Sequence, residues 1–306
     1  MILLDQAIKR YITTNLAQPH SEWVRNTVYK LNDEVLYDNH IYRTVVDNNQ
    51  GVQPDLNTGK WLLFGVDNAY ASIDLHSKTK TVIDEGLPFI ELNFTTEQFT
   101  HLAFGGVQGA TLKVTEKDTK GVVIKTKDYT LGVSRIDAVN WYDYFYLPIP
   151  DTSGTGSGLP VDILLDAISP KVATITVKLM PNGKGEAFIS SMIGGKGINL
   201  GDTEYGLSVG LVDYSKKVTD EYGITTLERR NVRETMECDI VIPAKQAQGA
   251  KRVVKNSLGR ALMFIADPET DSNFDNLIIL GYIDDYTTYY NNGVISRSSI
   301  EIEEVL

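Results

Sequence analysis

One cysteine, Cys238, stands in a chain of 306 residues. A single thiol cannot close an intramolecular disulfide or build a cysteine-based zinc site, and beside a strand it reads as a small buried apolar side chain. Histidine is scarce as well. His20, His40, His76 and His101 form no HxxxH or HExxH pair, so no zinc hydrolase site is written locally. No apolar run approaches the roughly 18 residues of a membrane span. Lys and Arg number 29 against 40 Asp and Glu, a net charge of −11, and no basic stripe exists to neutralise phosphates. Nucleic acid is therefore not an expected partner. The opening MILLDQAIKRYI carries Asp5, Lys9 and Arg10 inside its apolar stretch, so it does not read as a secretory signal. The expected place of folding is a cytoplasm.

What is present points to a mainly β protein of several parts. In residues 1–19, Leu3, Leu4, Ala7, Ile8, Tyr11 and Ile12 recur at helical spacing, which predicts an amphipathic N-terminal helix acting as an anchor. Residues 20–66 form a short turn-rich module. Residues 72–160 run as FIELNF, HLAFGG, ATLKVTE, VVIKTKDYTLGV and WYDYFYLPI between turn residues, the pattern of a β-sandwich. Within it, EKDTKG at 116–121 is a hairpin connection. TSGTGSG at 152–158 is a linker or long surface loop. Residues 161–306 predict a β-rich α+β domain serving assembly. Its helix falls in 242–259, with Pro243 at the start and Gly259 past the end, before three strands that form a small antiparallel sheet.

No catalytic constellation emerges. GxSxG is absent, and PNGKGE and GGKGIN lack the GxxxxGK[ST] spacing and the strand-to-helix setting of a phosphate cradle. Asp271, Asn273 and Asp275 have the alternate spacing of a calcium loop, but Asn276 and Tyr282 stand where its glycine and glutamate belong. No cofactor or metal is expected.

The module is the most informative stretch. Val35 and Tyr37 share one strand face, Tyr42, Thr44 and Val46 another, and Asn32-Asp33 and Asp38-Asn39 are turn pairs. A long loop follows to Trp61. This pattern resembles the carbohydrate-binding modules of families five and twelve, whose signature runs Trp, Tyr-x-x-Gly-Asp-x-Val-x-Tyr-x-Gly-x-x-Tyr, Pro, Trp. Trp23, Tyr29, Asn32-Asp33, Val35, Tyr37, Asn39, Tyr42, Pro54 and Trp61 take these places in order. Chitin-gripping members carry exposed aromatics just after the third tyrosine, where this chain has Val45, Val46, Asp47 and Asn48. The resemblance thus implies the fold more than the ligand, and the aromatics are expected to fill a mini-core.

GDTEYGLSVGLVDYSKKVTDEYG with LERR, and the C-terminal run from RALMFIADPE to ISRSSIEIEEV, resemble segments of tailed-phage virion proteins. Together the three resemblances imply a structural subunit of a phage tail, baseplate or fibre-attachment apparatus. It would be assembled in the host cytoplasm, partnered by other virion proteins and built as a homo-oligomer or symmetric assembly. A glycan-binding adhesin is the alternative. Host surface glycan would then meet Trp23, Tyr29, Tyr37, Tyr42 and Trp61, or Tyr142, Tyr144 and Tyr146, which alternation places on one face of their strand. A glycan hydrolase with an attached binding module ranks third, for want of a paired acid and base.

Overall fold

Alternation decides where each strand lies. In Ile90–Thr95 the apolar residues Ile90, Leu92 and Phe94 are buried, and Glu91 and Asn93 point away. Ile175, Val177 and Leu179 of Thr174–Met180 and Leu112 and Val114 of Thr111–Lys117 repeat the pattern. These strands make a five-stranded antiparallel sheet in the order Val123–Thr130, Thr111–Lys117, Thr174–Met180, Ile90–Thr95, Thr13–Thr14. Its inner face meets Leu102, Phe104, Val107, Ile163, Leu165, Ile189 and Met192 in one core. Those residues belong to a four-stranded sheet ordered Val161–Leu165, His101–Gln108, Phe188–Gly195, Thr81–Val82.

The four-stranded sheet is buried on its other face too. Ala103, Leu164 and Ile193 turn outward against Leu4, Met263, Ile265, Ile278 and Leu280. This second set comes from an eight-stranded antiparallel sheet. Its path runs Gly197–Asn199, Ile2–Leu4, Leu262–Ile265, Ile278–Tyr289, Ile295–Glu304, Val232–Pro243, Asp202–Thr203, with Ser208–Asp213 also on Val232–Pro243. The far face of this sheet gathers Leu3, Met236, Ile240, Ile242, Leu262, Phe264, Ile279, Ile300 and Ile302 with Val254 of the helix Ala244–Ser257. Helix, large sheet, four-stranded sheet and five-stranded sheet are thus stacked in sequence. Strands buried on both faces need no polar alternation, which is why Leu262–Ile265 is apolar throughout.

The computed structural model describes residues 1–95, 99–131, 161–165, 168–169, 171–219, 221–223, 225–266, 277–290 and 293–306. Strands hold 51% of the described residues and helix 9%, so the protein is mainly β. TSGTGSG, Asp271, Asn273 and Asp275 lie outside the described residues. Among the described residues, no helix is long and apolar enough to cross a membrane.

Three expectations need correction. Residues 1–16 do not form a helix. Ile2–Leu4 is a strand paired on both edges, with Leu3 in one core and Leu4 in the next. Beyond it, Gln6 replaces helical bonding: its side-chain oxygen accepts from Ile8 N and Gly194 N, and its amide donates to Met192 O. Ladder bonds and burial on two faces outweigh a helical spacing that only a short apolar segment carried. The C-terminal sheet is not small, because strands from three distant parts of the chain join it. A boundary at 160/161 would also cut both smaller sheets, since Thr174–Met180 lies between Thr111–Lys117 and Ile90–Thr95.

The local turns agree with their residues. Asp118 Oδ1 accepts from Lys120 N and Val122 N, and Gly121 takes φ +80° at the hairpin tip. Pro243 immediately precedes the helix and Gly259, at φ +73°, follows it. Cys238 faces the core under the helix, where burial pushes its thiol pKa up to about 12.

From the large sheet a two-stranded ribbon projects. Ser208–Asp213 pairs with Val232–Glu237, and Lys216–Thr219 with Thr225–Glu228. At 3.3–3.4 Å per residue the twelve positions from Ser208 to Thr219 extend about 40 Å. Nearly every described residue from Tyr205 to Glu234 is exposed or half-exposed.

A 3-10 segment, Asn68–Ile73, connects the module to the stacked sheets and is flanked by two awkward carboxylates. Asp67 Oδ1 caps Ala69 N at 3.0 Å, and Asp74 Oδ1 accepts from His76 N and Thr79 Oγ1. The second oxygen of each is buried without a partner. Desolvation therefore raises both pKa values above the ordinary 3.8. A raised folded pKa means that the native state binds the proton more tightly, so this contribution is present at low pH and lost as pH rises through the folded pKa. Asp67→Asn with Asp74→Asn is expected to shift urea stability relative to the parent chain in a pH-dependent way, most favourably at neutral pH and least near pH 4. A difference that stays constant with pH in urea melts would contradict this.

Candidate functional site

The module is a three-stranded antiparallel sheet, Glu34–Tyr37, His40–Thr44 and Trp61–Val66. Its turns need left-handed backbone. Asn32 has φ +70°, and Asp38 and Asn39 have +48° and +65°, the geometry of a two-residue hairpin turn. Asn32 and Asn39 stand where the sugar-binding modules of the resemblance place glycine. Asn tolerates that conformation, so the substitutions keep the turns.

Two of the proposed aromatic contacts are internal. Tyr29 and Trp61 meet edge to face at 5.4 Å and, with Val35, form the module's own core. Trp61 Nε1 donates to Val52 O at 2.9 Å, and the Tyr29 hydroxyl accepts from Val24 N at 2.7 Å. Both polar tips are thus satisfied inside the protein, leaving neither ring a face for a ligand.

The other three lie together at the rim of that core. Trp23 and Tyr37 are perpendicular at 5.6 Å, Tyr37 and Tyr42 are 6.4 Å apart, and His40 lies 6.5 Å from Tyr42. All four are half-buried. Gln53 Nε2 donates to the Tyr37 hydroxyl at 2.5 Å. Desolvation, then the nearby carboxylates of Asp55 and Asp38, raise the pKa of Tyr37 and Tyr42, so both hydroxyls remain protonated donors at neutral pH. Trp23 Nε1 is enclosed without an acceptor. Ring edges, hydroxyls, an amide and carboxylates here form a small amphipathic surface of the kind that meets a sugar's CH face and hydroxyls.

Val45–Asn48 is used structurally. Asp47 Oδ1 accepts from Leu31 N at 3.0 Å, and Asn48 has φ +55°. The exposed aromatic of the module is one the sequence reading did not nominate. Phe64 is 54% exposed, and the Arg43 guanidinium covers one face of its ring at 3.9 Å. A bulge between Ile41 and Tyr42 disturbs the alternation after Trp61, leaving Leu62, Leu63 and Phe64 all exposed. The only signal was three apolar residues in succession after Trp61, which alternation alone assigns to no single face. Tyr142, Tyr144 and Tyr146 lie outside the described residues.

No family model matches the chain, and no curated protein matches it. The module's chemistry is therefore read from its own geometry. Among the described residues, no group of three His, Cys, Asp or Glu side chains is arranged to hold a metal ion.

Proposed function

We propose that this chain is a structural, non-catalytic subunit of a tailed-phage virion, in the tail, baseplate or fibre-attachment apparatus. It is assembled in the bacterial host cytoplasm and works through contacts with other virion proteins. In this reading the five- and four-stranded sheets act as a β-sandwich, the large sheet and its helix as the assembly platform, and the module as an outward attachment. The observation that carries it is the pairing of a rigid stacked body with a ribbon exposed on both faces, a surface that a partner must cover to remain ordered. Mass spectrometry of purified particles tests it: the chain should appear in stoichiometric amounts, and its absence would sink the assignment.

A second reading, a glycan-binding adhesin, is favoured by the grouping of Trp23, Tyr37 and Tyr42 beside Gln53. It expects weak binding to bacterial surface polysaccharide. With aromatic contacts of about 0.5–1.5 kcal/mol each, Tyr37→Ala with Tyr42→Ala should weaken that binding about tenfold or more. Glycan-array affinities unchanged by the double substitution would remove this module as the binding site. In symmetric particles, several weak sites would act together through avidity.

A further inference from the structure

We infer that the edge strand Ser208–Asp213 joins two copies of this chain into one continuous antiparallel sheet, paired about Gly210. This goes beyond the virion assignment. It concerns contact between copies, and it stands or falls whatever particle holds them.

Ser208–Asp213 pairs with Val232–Pro243 on one side, and among the described residues no strand lies on its other side. Edge strands are ordinarily protected by lysine, proline or an inward charge that resists pairing. Ser-Val-Gly-Leu-Val-Asp has none of these before its last residue. Val209 and Leu211 instead present apolar side chains, 49% and 70% exposed.

Self-pairing restricts the register. A two-fold axis joining antiparallel strands of one sheet runs through the sheet, so each face maps onto itself and one residue must lie opposite its own copy. With Gly210 at that point, Val209 lies opposite Leu211 of the other copy, twice, giving two apolar cross-strand pairs on one face. Ser208 lies opposite Val212 and Asp213 opposite Leu207, so no like charges meet. Gly210 also suits the centre. A Cβ there would come within 2.6 Å of Thr235 Oγ1, so a larger residue would require that side chain to turn away.

The same axis carries the rest of each arm along the neighbour's edge. Lys216 of one copy reaches the height of Asp202 in the other, two positions from Glu204, and the reverse contact is identical. Glu204 already meets Arg297 at 2.9 Å and keeps part of its side chain in solvent. Charge does not oppose this arrangement: residues 205–234 hold five basic and five acidic groups, a net of zero, in a chain of net −11, so the two ribbons meet without the repulsion of the rest of the surface. The near strand also carries apolar surface: Tyr205, Val209, Leu211, Val212, Tyr214 and Val218 are all exposed along residues 205–219.

Sedimentation equilibrium of the full chain at micromolar concentration should give twice the 34.0 kDa mass. Leu211→Lys, at an exposed position outside every core, should raise the dimer dissociation constant at least about tenfold, with the circular dichroism spectrum retained. Val209→Cys with Leu211→Cys should cross-link under mild oxidation. Leu211→Cys alone should not, because the two copies of residue 211 are offset by two positions on opposed strands. Cys238 is buried and contributes no cross-link. A monomeric parent chain, or an oligomer that Leu211→Lys leaves intact, overturns the proposal. Cross-linking by Leu211→Cys alone overturns the Gly210 register. None of these results bears on whether the protein is found in particles.

Discussion

Replacing Trp61 with alanine is expected to unfold residues 29–66 while the stacked sheets stay folded. Trp61 is 2% exposed and is the largest of the three side chains that form the module's own core. Its removal takes away the edge-to-face contact with Tyr29, the bond to Val52 O and the support of Tyr42. A buried Trp→Ala change costs about 3–5 kcal/mol, and a core this small rarely supplies more than that. The body loses little, because Leu36 is the one buried module residue of the large core, whose other buried members come from outside residues 29–66. Hydrogen exchange resolved by residue is the suitable measurement. Amides of Glu34–Tyr37, His40–Thr44 and Trp61–Val66 should lose protection while Ile90–Thr95 and Thr174–Met180 retain theirs. Protection unchanged in the module, or lost equally throughout, would contradict this account.

Met263 tests the stack itself. It is fully buried between the large and four-stranded sheets, beside Leu4, Ala103 and Ile193. Met263→Leu conserves volume and should cost less than about 1.5 kcal/mol. Met263→Lys places an ammonium among the apolar side chains of Leu4, Ala103, Leu164 and Ile193. Lost packing of about 2–5 kcal/mol then adds to a desolvation penalty of several more. That sum is comparable to the whole stability of a typical domain, so the lysine chain should fail to fold while the leucine chain melts near the parent. Thermal melts of the two soluble fractions decide it. A lysine variant that unfolds cooperatively near the parent temperature would mean that the sheets do not pack there.

What could be read from sequence was local. Asn32, Asp38-Asn39, Asp118 with Gly121, and the Pro243–Gly259 bracket each encode their own turn or helix end within a few residues. Alternation likewise marked Ile90–Thr95 and Thr174–Met180. The misreadings occur where distant chain decides. Leu3 and Leu4 satisfy a helical spacing as well as a strand, and only Gly197–Asn199 and Leu262–Ile265, far along the chain, select the strand. The 160/161 division failed for the same reason, since nothing near Thr174 announces that it will lie between Ile90–Thr95 and Thr111–Lys117. In the module, sequence named the aromatics without sorting core from rim. Trp61 turned inward and Tyr37 to the rim through strand register, and the bulge beside Tyr42 brought out Phe64.

The pairing of Ile2 with Ile265 has a consequence for the order of events as the chain is made. The module's three strands fall within about thirty-three residues and can pair as soon as they leave the ribosome. The large sheet has no such freedom, because its second strand in spatial order is made first and must wait for Leu262–Ile265 before both its edges are covered. Contacts of such long range are slow to form. Until they do, Leu3 and Leu4 are apolar residues without a sheet, and this early segment is the one most dependent on protection from its neighbours in a crowded cell.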